Sequence, residues 1–178
     1  AGEKVVVTRE PGGTTLGKKL REILLSNETG VIAPRSEALL YAADRAHHVE
    51  SVIKPALVAG AIVISDRYMD SSIAYQGGGR ILAPQEIARI SRWATDNLTP
   101  SLTVLLDVPA ETAFKRFAER DRLESEPLVF HERVRTTFLE LAAFSPDRYL
   151  VIDATESIER IAEQVLARVQ SLLASRRK

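Results

Sequence analysis

Short apolar runs alternate along this chain with longer stretches in which apolar residues recur every three or four positions. The short runs predict strands buried on both faces of a parallel sheet. They lie at 4–8, 61–65, 102–107 and 149–153. The longer stretches have the period of amphipathic helices. Strands that alternate with helices predict an α/β fold in which helices cover both faces of a parallel sheet.

The helix predicted after Ser36, which we take as its capping residue, has two distinct faces. One face is expected to lie on the core and consists of Leu39, Leu40, Ala43 and His47. The other carries Tyr41, Asp44, Arg45 and His48. This second face has two interpretations: a solvated flank, or a surface that holds a flat base between an aromatic ring and an arginine one turn away.

Composition sets the class of protein. The 178 residues point to one domain, with 45% hydrophobic and 27% charged residues, as in globular proteins. Lys plus Arg and Asp plus Glu both number 24, so no net field favours nucleic acid or an anionic membrane. No cysteine is present, which excludes disulfides and thiolate metal sites. No apolar run approaches the length of a membrane span, and we expect a cytoplasmic protein.

Charged residues follow the second predicted strand directly. Asp66 and Arg67 come where the strand ends, and ligands of open α/β sheets bind beyond the carboxyl ends of strands. Arginine presents a planar fork to phosphate oxygens, and aspartate suits Mg²⁺ or a water bound to it. The pair predicts a metal–phosphate site; the alternative is a surface ion pair at a strand end.

Three other segments have plain structural interpretations, and for two of them a functional alternative stays open. The loop at 9–14 contains a proline and two glycines, which suits close backbone approach to a ligand or a plain turn. The glycines at 77–79 suit a flexible hinge. The charged segment at 119–127 suits a solvated loop or a mobile lid that brings an arginine to a transition state.

Five short motifs follow one another along the chain. They are TREPGGT at 8–14, YAADR at 41–45, DRY at 66–68, YQGGGR at 75–80 and DRLE at 121–124. Each is weak alone, but together and in this order they resemble the bacterial thymidylate kinase family over essentially the whole chain. The resemblance implies a P-loop nucleoside monophosphate kinase that transfers the γ-phosphoryl group of ATP to dTMP with Mg²⁺, in dTTP biosynthesis. It also implies a homodimer.

The resemblance assigns the base and sugar of dTMP to five residues. Tyr41 would stack on thymine, where the family usually has phenylalanine. Arg45 would contact the base and the nearby phosphate. Ser72 and Gln76 would lie at the thymine edge, and Tyr75 would lie against the sugar 2′ position.

The same resemblance assigns the phosphate end of the site. Glu10 and Pro11 would line the dTMP pocket. Asp66 would help to hold Mg²⁺, and Arg67 would bind the dTMP phosphate. Arg122 would be a lid arginine that faces the transferring phosphoryl group.

One departure from the family concerns the ATP phosphates. No G-x-x-x-x-G-K-[ST] loop occurs in the sequence. The chain begins at the family's second strand, so we expect a longer polypeptide with a βα unit of roughly 30 residues in front. The lid also looks short, and Arg116 before it is expected to stack on adenine. Two alternatives stay open: a kinase for another nucleoside monophosphate, and a non-catalytic nucleotide-binding protein without the P-loop.

Overall fold

The computed structural model describes residues 2–114 and 120–176. In these ranges four short strands lie within one residue of the predicted positions. They are β1 (Val5–Arg9), β2 (Ile62–Asp66), β3 (Thr103–Asp107) and β4 (Tyr149–Asp153). β1 pairs in parallel with β2, and β3 pairs in parallel with β4. The strand direction of the prediction is therefore confirmed.

Helices connect the strands. They are α1 (Thr15–Leu25), α2 (Pro34–His48), α3 (Lys54–Val58), α4 (Met69–Ser72), α5 (Pro84–Ala94), α6 (Ala110–Phe114), α7 (Leu128–Phe144) and α8 (Ile158–Arg176). A 3₁₀ turn covers Asn27–Thr29, and π-helical turns cover Val49–Ile53 and Ile73–Gly79. Within the described ranges, none of these helices has both the length and the apolar character needed to cross a membrane.

The start of α2 differs from the prediction. Ser36 was expected to cap the helix, but the helix begins at Pro34, with Ala33 as its flanking residue. Proline suits the first helical turn because its fixed φ is already helical and its missing N–H has no partner there. At α1 the cap is provided by a side chain instead: Thr14 Oγ1 accepts a hydrogen bond of 2.8 Å from the Gly17 N–H.

The prediction that the strands are buried on both faces is wrong for the described ranges. Val7 is 76% exposed, and Ile64, Leu106 and Val151 are also exposed. The two strand pairs share no hydrogen bonds with each other in these ranges. Because strand side chains project from the two faces of a sheet, these exposures mean that no described element covers the faces at these positions. The prediction of an additional βα unit in front of the chain stays a prediction.

The core lies mainly among the helices. Its larger cluster of buried side chains joins α1, α2, α7, the π-helical turn Ile73–Gly79 and the segment before Pro127. It comprises Leu24, Tyr41, Ala74, Leu123, Phe130 and Val134. A smaller cluster comprises Ala38, Ile73 and Ile87. Tyr41 thus belongs to the core and has only 9% of its surface exposed.

Leu40 packs against the core as the apolar pattern predicted, but the rest of the predicted core face of α2 is exposed. Leu39 is 58% exposed, and Ala43 and His47 are exposed as well. The buried face carries the charged and polar residues instead, because Glu37, Asp44, Arg45 and His48 each have a hydrogen-bond partner elsewhere in the fold. The buried residues of the helix are Glu37, Ala38, Tyr41, Ala42, Asp44, Arg45 and His48.

The glycine triplet is a packing element and not a hinge. Gly77, Gly78 and Gly79 lie in the π-helical turn that packs against α7. A Cβ at Gly78 would lie 2.1 Å from Thr137 Oγ1, and one at Gly79 would lie 2.5 Å from the Phe130 ring. Because real Cβ atoms do not approach so closely, these positions need glycine for close contact between the two helical segments.

Candidate functional site

The carboxyl ends of β1 and β2 bring charged side chains together. Arg9 is the parallel partner of Asp66, and the Glu10 N–H donates a 2.9 Å hydrogen bond to the Asp66 carbonyl. Arg9, Asp66 and Arg67 are all exposed at this edge. The prediction placed Asp66 and Arg67 here; Arg9 was missed, although its position as the last residue of a strand was a usable signal.

Arg67 has an unusual backbone conformation. Its φ of 66° lies in the left-handed region, which is costly for a residue with a side chain. The Ser65 hydroxyl donates a 2.8 Å hydrogen bond to the Arg67 carbonyl, and the guanidinium carbon lies 5.1 Å from the centre of the Tyr75 ring. This conformation turns the chain sharply after β2, and the guanidinium lies over an aromatic face.

Asp66 is the residue to test as a metal ligand. Among the described residues, no group of three His, Cys, Asp or Glu side chains is arranged to hold a metal ion. Mg²⁺ is usually held by one or two carboxylates together with water and substrate phosphates. The single accessible carboxylate of Asp66, beside two arginines suited to phosphate, fits that mode of binding.

Glu10 is the centre of a buried polar group that we call the Glu10 cluster: Glu10, Arg45, His48 and Ser72. Glu10 Oε2 accepts a 2.7 Å hydrogen bond from Arg45 Nε, and its Oε1 lies 2.9 Å from His48 Nδ1. Arg45 also donates to Ser72 Oγ at 3.0 Å and to the Tyr68 carbonyl at 3.2 Å. Glu10, Arg45 and Ser72 were predicted to belong to one pocket, and the structure brings them together.

The same cluster holds the loop after β1 against α2. A Cβ at Gly13 would lie 2.5 Å from His48 Nε2, so the loop approaches the helix closely. The Gly12 N–H donates a 3.3 Å hydrogen bond to Asp44 Oδ1, whereas Asp44 Oδ2 is buried without a partner in the described ranges. Burial raises the pKa of Asp44. Pro11, predicted to line the pocket, is buried, and its carbonyl accepts a 3.1 Å hydrogen bond from Arg21.

A second buried carboxylate lies at the other end of α2, in a group that we call the Glu37 cluster: Glu37, Gln76, Arg80 and Arg122. Gln76 Nε2 and Arg80 Nε donate to Glu37 Oε1 at 3.0 and 3.1 Å. Arg80 Nη2 and Arg122 Nη2 donate to Oε2 at 3.1 and 2.5 Å. Burial alone would raise the pKa of Glu37, but these hydrogen bonds together hold it below its usual value.

Arg122, predicted as a lid arginine, is part of this cluster and only 10% exposed. Its Nε also donates to the Leu24 carbonyl at 2.8 Å. The adjoining turn is well anchored: Leu123 lies in the core, and Asp121 Oδ1 accepts the backbone N–H groups of Leu123 and Glu124, both at 2.9 Å. The described part of the predicted lid, 120–127, is therefore docked on α1 and α2. Arg116 lies outside the described residues.

The two tyrosines assigned to dTMP have different surroundings. Tyr41 is buried in the core one turn after Glu37, and burial, with the nearby Glu37 charge, raises its pKa. Tyr75 is half-buried, with its ring edge-to-face to Phe130 at 6.1 Å and to Phe138 at 6.3 Å. Tyr75 therefore combines a packed edge with a face open to the Arg67 guanidinium.

Sequence reasoning missed Glu37 and Arg80 as site residues. Glu37 was assigned only to the first turn of a helix, and Arg80 was named only as the end of a motif. The signal for Glu37 was its four-residue spacing from Tyr41, which places both on one helical face. Nothing in the spacing pointed to the pairing of Glu37 with Arg80, since 43 positions separate them.

Parallel strands joined by helices, with acidic and arginine side chains beyond the strand ends, define an α/β protein of the nucleotide-binding type. The family model for thymidylate kinase matches residues 1–165. The chain belongs to the thymidylate kinase family, which has the P-loop NTPase fold.

Individual relatives agree with this assignment. The chain is 57% identical over 178 residues to a thymidylate kinase of Clavibacter michiganensis subsp. michiganensis, covering 98% of this chain and 84% of that protein. It is 53% identical over 172 residues to one of Leifsonia xyli subsp. xyli, covering 94% and 81%. It is 44% identical over 173 residues to one of Lactobacillus acidophilus, covering 94% and 80%.

Proposed function

We propose that this protein is a kinase that transfers the γ-phosphoryl group of ATP to dTMP to give dTDP, a step towards dTTP. Family membership and the names of the relatives support the reaction. The structural observation that carries the proposal is Arg67, held in a left-handed conformation beside Asp66 at the end of β2. That is where a parallel α/β sheet binds phosphate.

The proposed reaction depends on positioning and charge neutralisation more than on covalent chemistry. Arg67 would make a bidentate, charge-assisted contact to the dTMP phosphate. Asp66 would hold Mg²⁺, which when bound neutralises charge on the ATP phosphates. No residue has to act as a general base, because the acceptor phosphate is already an anion.

The remaining assignments are part of the same proposal. Tyr41, Arg45, Ser72 and Gln76 would surround thymine, and Tyr75 would lie against the sugar. Glu10 would contribute by orienting Arg45, and Pro11 by shaping the loop beside the pocket. Arg122, which forms an ion pair with Glu37 in this structure, would face the transferring phosphoryl group. Arg116 would contact adenine.

We also propose a homodimer that acts in the cytoplasm, as the family resemblance implies. The exposed Leu39 on the outer face of α2 is one apolar side chain that a subunit interface would cover. Sedimentation of the full-length protein tests the oligomeric state.

Substitution of Arg67 tests the proposed reaction. In the full-length protein with ATP and Mg²⁺, Arg67→Ala should raise KM for dTMP and lower kcat, because binding and alignment are lost together. Loss of a charged hydrogen bond costs about 1.5–3 kcal/mol, which corresponds to a decrease in kcat/KM of roughly tenfold or more.

The matched control is Arg89→Ala, which removes an exposed arginine from α5. The control should keep the kinetics of the natural protein. If Arg67→Ala also keeps them, Arg67 is a structural residue and the phosphate site lies elsewhere. If the natural protein prefers another nucleoside monophosphate, or binds dTMP without turnover, one of the two alternative functions replaces the proposal.

A further inference from the structure

The turn that presents Arg67 is held by contacts from other elements. It runs from Arg67 to Asp70 and joins β2 to α4, which is a single helical turn. Arg45 Nη2 donates a 3.2 Å hydrogen bond to the Tyr68 carbonyl, and the Tyr68 hydroxyl donates a 3.1 Å hydrogen bond to the Leu98 carbonyl. One turn of helix has little stability of its own, because nucleation is costly. The position of this segment therefore depends on such distant contacts.

Asp70 anchors α4 to the start of β4 through a bidentate ion pair. Arg148, which directly precedes β4, donates from Nη1 to Asp70 Oδ2 at 2.6 Å and from Nη2 to Asp70 Oδ1 at 3.0 Å. Thr103 Oγ1, at the first residue of β3, donates to Asp70 Oδ2 at 3.0 Å. The Asp70 side chain is only 6% exposed, so these three hydrogen bonds fix its carboxylate with little competition from water.

Arg148 is itself held in place by the β3–β4 pair. The Thr103 N–H donates to the Arg148 carbonyl at 2.8 Å, and Arg148 Nη1 donates to Thr103 Oγ1 at 3.0 Å. The guanidinium carbon lies 4.5 Å from the centre of the ring of Tyr149, which is buried in β4. In the described ranges the two strand pairs share no ladder hydrogen bonds. The ion pair between Asp70 and Arg148 is thus a polar connection between the turn after β2 and the second strand pair.

The conformation of Arg67 depends on where α4 lies. Its φ of 66° is costly, and such a conformation persists only where the surrounding structure imposes it. Arg67 comes two residues before α4, and Tyr75, whose ring lies beside the Arg67 guanidinium, comes three residues after it. A displacement of α4 would therefore move both the backbone that carries Arg67 and the ring that its guanidinium contacts.

We propose that Asp70 is a positioning residue, whose ion pair with Arg148 fixes α4 so that Arg67 is held ready for the acceptor phosphate. Asp70 does not contact the nucleotide in this proposal, because its carboxylate is occupied by Arg148 and Thr103. The inference rests on the proposed function, since it needs Arg67 to bind the phosphate of dTMP. An ion pair that only stabilised the fold would not distinguish ligands with a phosphate from ligands without one.

The test compares a ligand that carries the phosphate with one that lacks it. Dissociation constants of dTMP and of thymidine are measured by NMR titration with the full-length natural protein, with Asp70→Asn and with Asp147→Asn. Asparagine has nearly the shape of aspartate but no charge, so it weakens the contact to Arg148. Asp147→Asn is the matched control, because it makes the same change at an exposed position next to Arg148.

In Asp70→Asn the dissociation constant of dTMP should rise by about tenfold, because the charged contact of Arg67 to the phosphate is misaligned. The constant of thymidine should stay nearly unchanged, and kcat for dTMP should fall because alignment is lost as well. Asp147→Asn should keep all three values. An equal loss of affinity for both ligands, or no loss for dTMP, would overturn the proposal.

A double-mutant cycle tests whether Asp70 acts through Arg67. In an Arg67→Ala background, Asp70→Asn should weaken dTMP binding little further, because the group that it positions is already absent. Losses from the two substitutions that simply add would mean that Asp70 acts independently of Arg67, and would also overturn the proposal.

A further readout needs no nucleotide. In the ligand-free natural protein, the Tyr75 ring should shift the side-chain proton signals of Arg67 upfield, and these signals are assigned by their loss in Arg67→Ala. In Asp70→Asn they should move towards the values of free arginine. Thr103→Val, which removes one hydrogen bond to Asp70 and keeps the ion pair, should move them in the same direction by less and serves if Asp70→Asn does not fold. Unchanged Arg67 signals would refute the positioning role.

The two proposals fail in different ways. A natural protein that neither binds nor phosphorylates dTMP removes the proposed function, while the Arg67 signals still judge whether Asp70 positions Arg67. A natural protein that phosphorylates dTMP, with Asp70→Asn equal to it in dTMP binding, removes only the role of Asp70.

Discussion

The Glu10 and Glu37 clusters are similar in composition but differ in how they are enclosed. In each cluster a buried carboxylate at the inner face of α2 is paired with arginine; Glu10 comes from the loop after β1, and Glu37 belongs to α2 itself. Arg45 and Glu10 have side chains that are each 2% exposed. Arg80 and Arg122 are 16% and 10% exposed; Arg80 directly follows the π-helical turn Ile73–Gly79, and Arg122 belongs to the predicted lid.

The difference indicates separate roles for the two ends of α2. A fully enclosed ion pair loses its hydration completely, so it needs every partner and tolerates no movement. A carboxylate with three donors from two distant segments can lose one of them and remain paired. We infer that the Glu10 cluster fixes the loop after β1, whereas the Glu37 cluster is the end at which substrate binding can alter contacts.

The largest effect is expected from Arg45→Ala. This change leaves Glu10 buried with His48 as its remaining side-chain partner, and loss of one member of a buried pair costs about 3–5 kcal/mol. The free energy of unfolding is measured by chemical denaturation. The exposed Arg89→Ala should change it by less than about 0.5 kcal/mol. A loss for Arg45→Ala as small as that of the control would remove the distinction between the two clusters.

Arg122→Ala should have a smaller effect on stability. Glu37 keeps its contacts to Arg80 and Gln76, so the carboxylate stays paired. The change removes the Arg122 hydrogen bonds to Glu37 and to the Leu24 carbonyl, with an expected loss of about 1.5–3 kcal/mol. The same denaturation experiment measures it, beside Arg45→Ala. A loss equal to that of Arg45→Ala would show that the Glu37 cluster is as intolerant of change as the Glu10 cluster.

The smallest effect is a dependence of stability on pH. The folded state holds the pKa of Glu37 below its unfolded value, so this stabilisation is present above the unfolded pKa and is lost as pH falls through the folded pKa. The gap in unfolding free energy between the natural protein and Glu37→Gln should therefore shrink from neutral pH to about pH 3. Glu86→Gln should follow the natural protein throughout, and a gap that widens in acid would reverse the sign assigned to Glu37.

Much of the fold could be predicted from local pattern. The strand ending at Asp66 and the strand Tyr149–Asp153 were found because buried strands are short apolar runs. Proline marks the starts of α5 at Pro84 and of α6 just after Pro109, because its fixed φ suits the first helical turn. The motifs around Arg67 and Gln76 indicated the family, and the family model confirmed it.

Burial was where local pattern failed. Trp93 is a large aromatic residue, yet it is 82% exposed because Ile87, Ser91 and Ala94 form the buried stripe of α5. The charged segment before Pro127 was interpreted as a solvated loop or a mobile lid, yet it supplies Leu123 to the core. The hydrophobicity of a side chain indicates whether its burial is favourable. The neighbouring elements determine which face of a helix is actually covered.

The sequence by itself determined the order of strands and helices, the turn after Asp66 and the residue types that bind phosphate, because these depend on neighbours within a few positions. Only the tertiary structure decided that Glu37 would meet Gln76, Arg80 and Arg122, or that Glu10 would meet Arg45 and His48. Each contact joins segments at least 35 positions apart, and a buried charge is stable only where such distant partners converge on it.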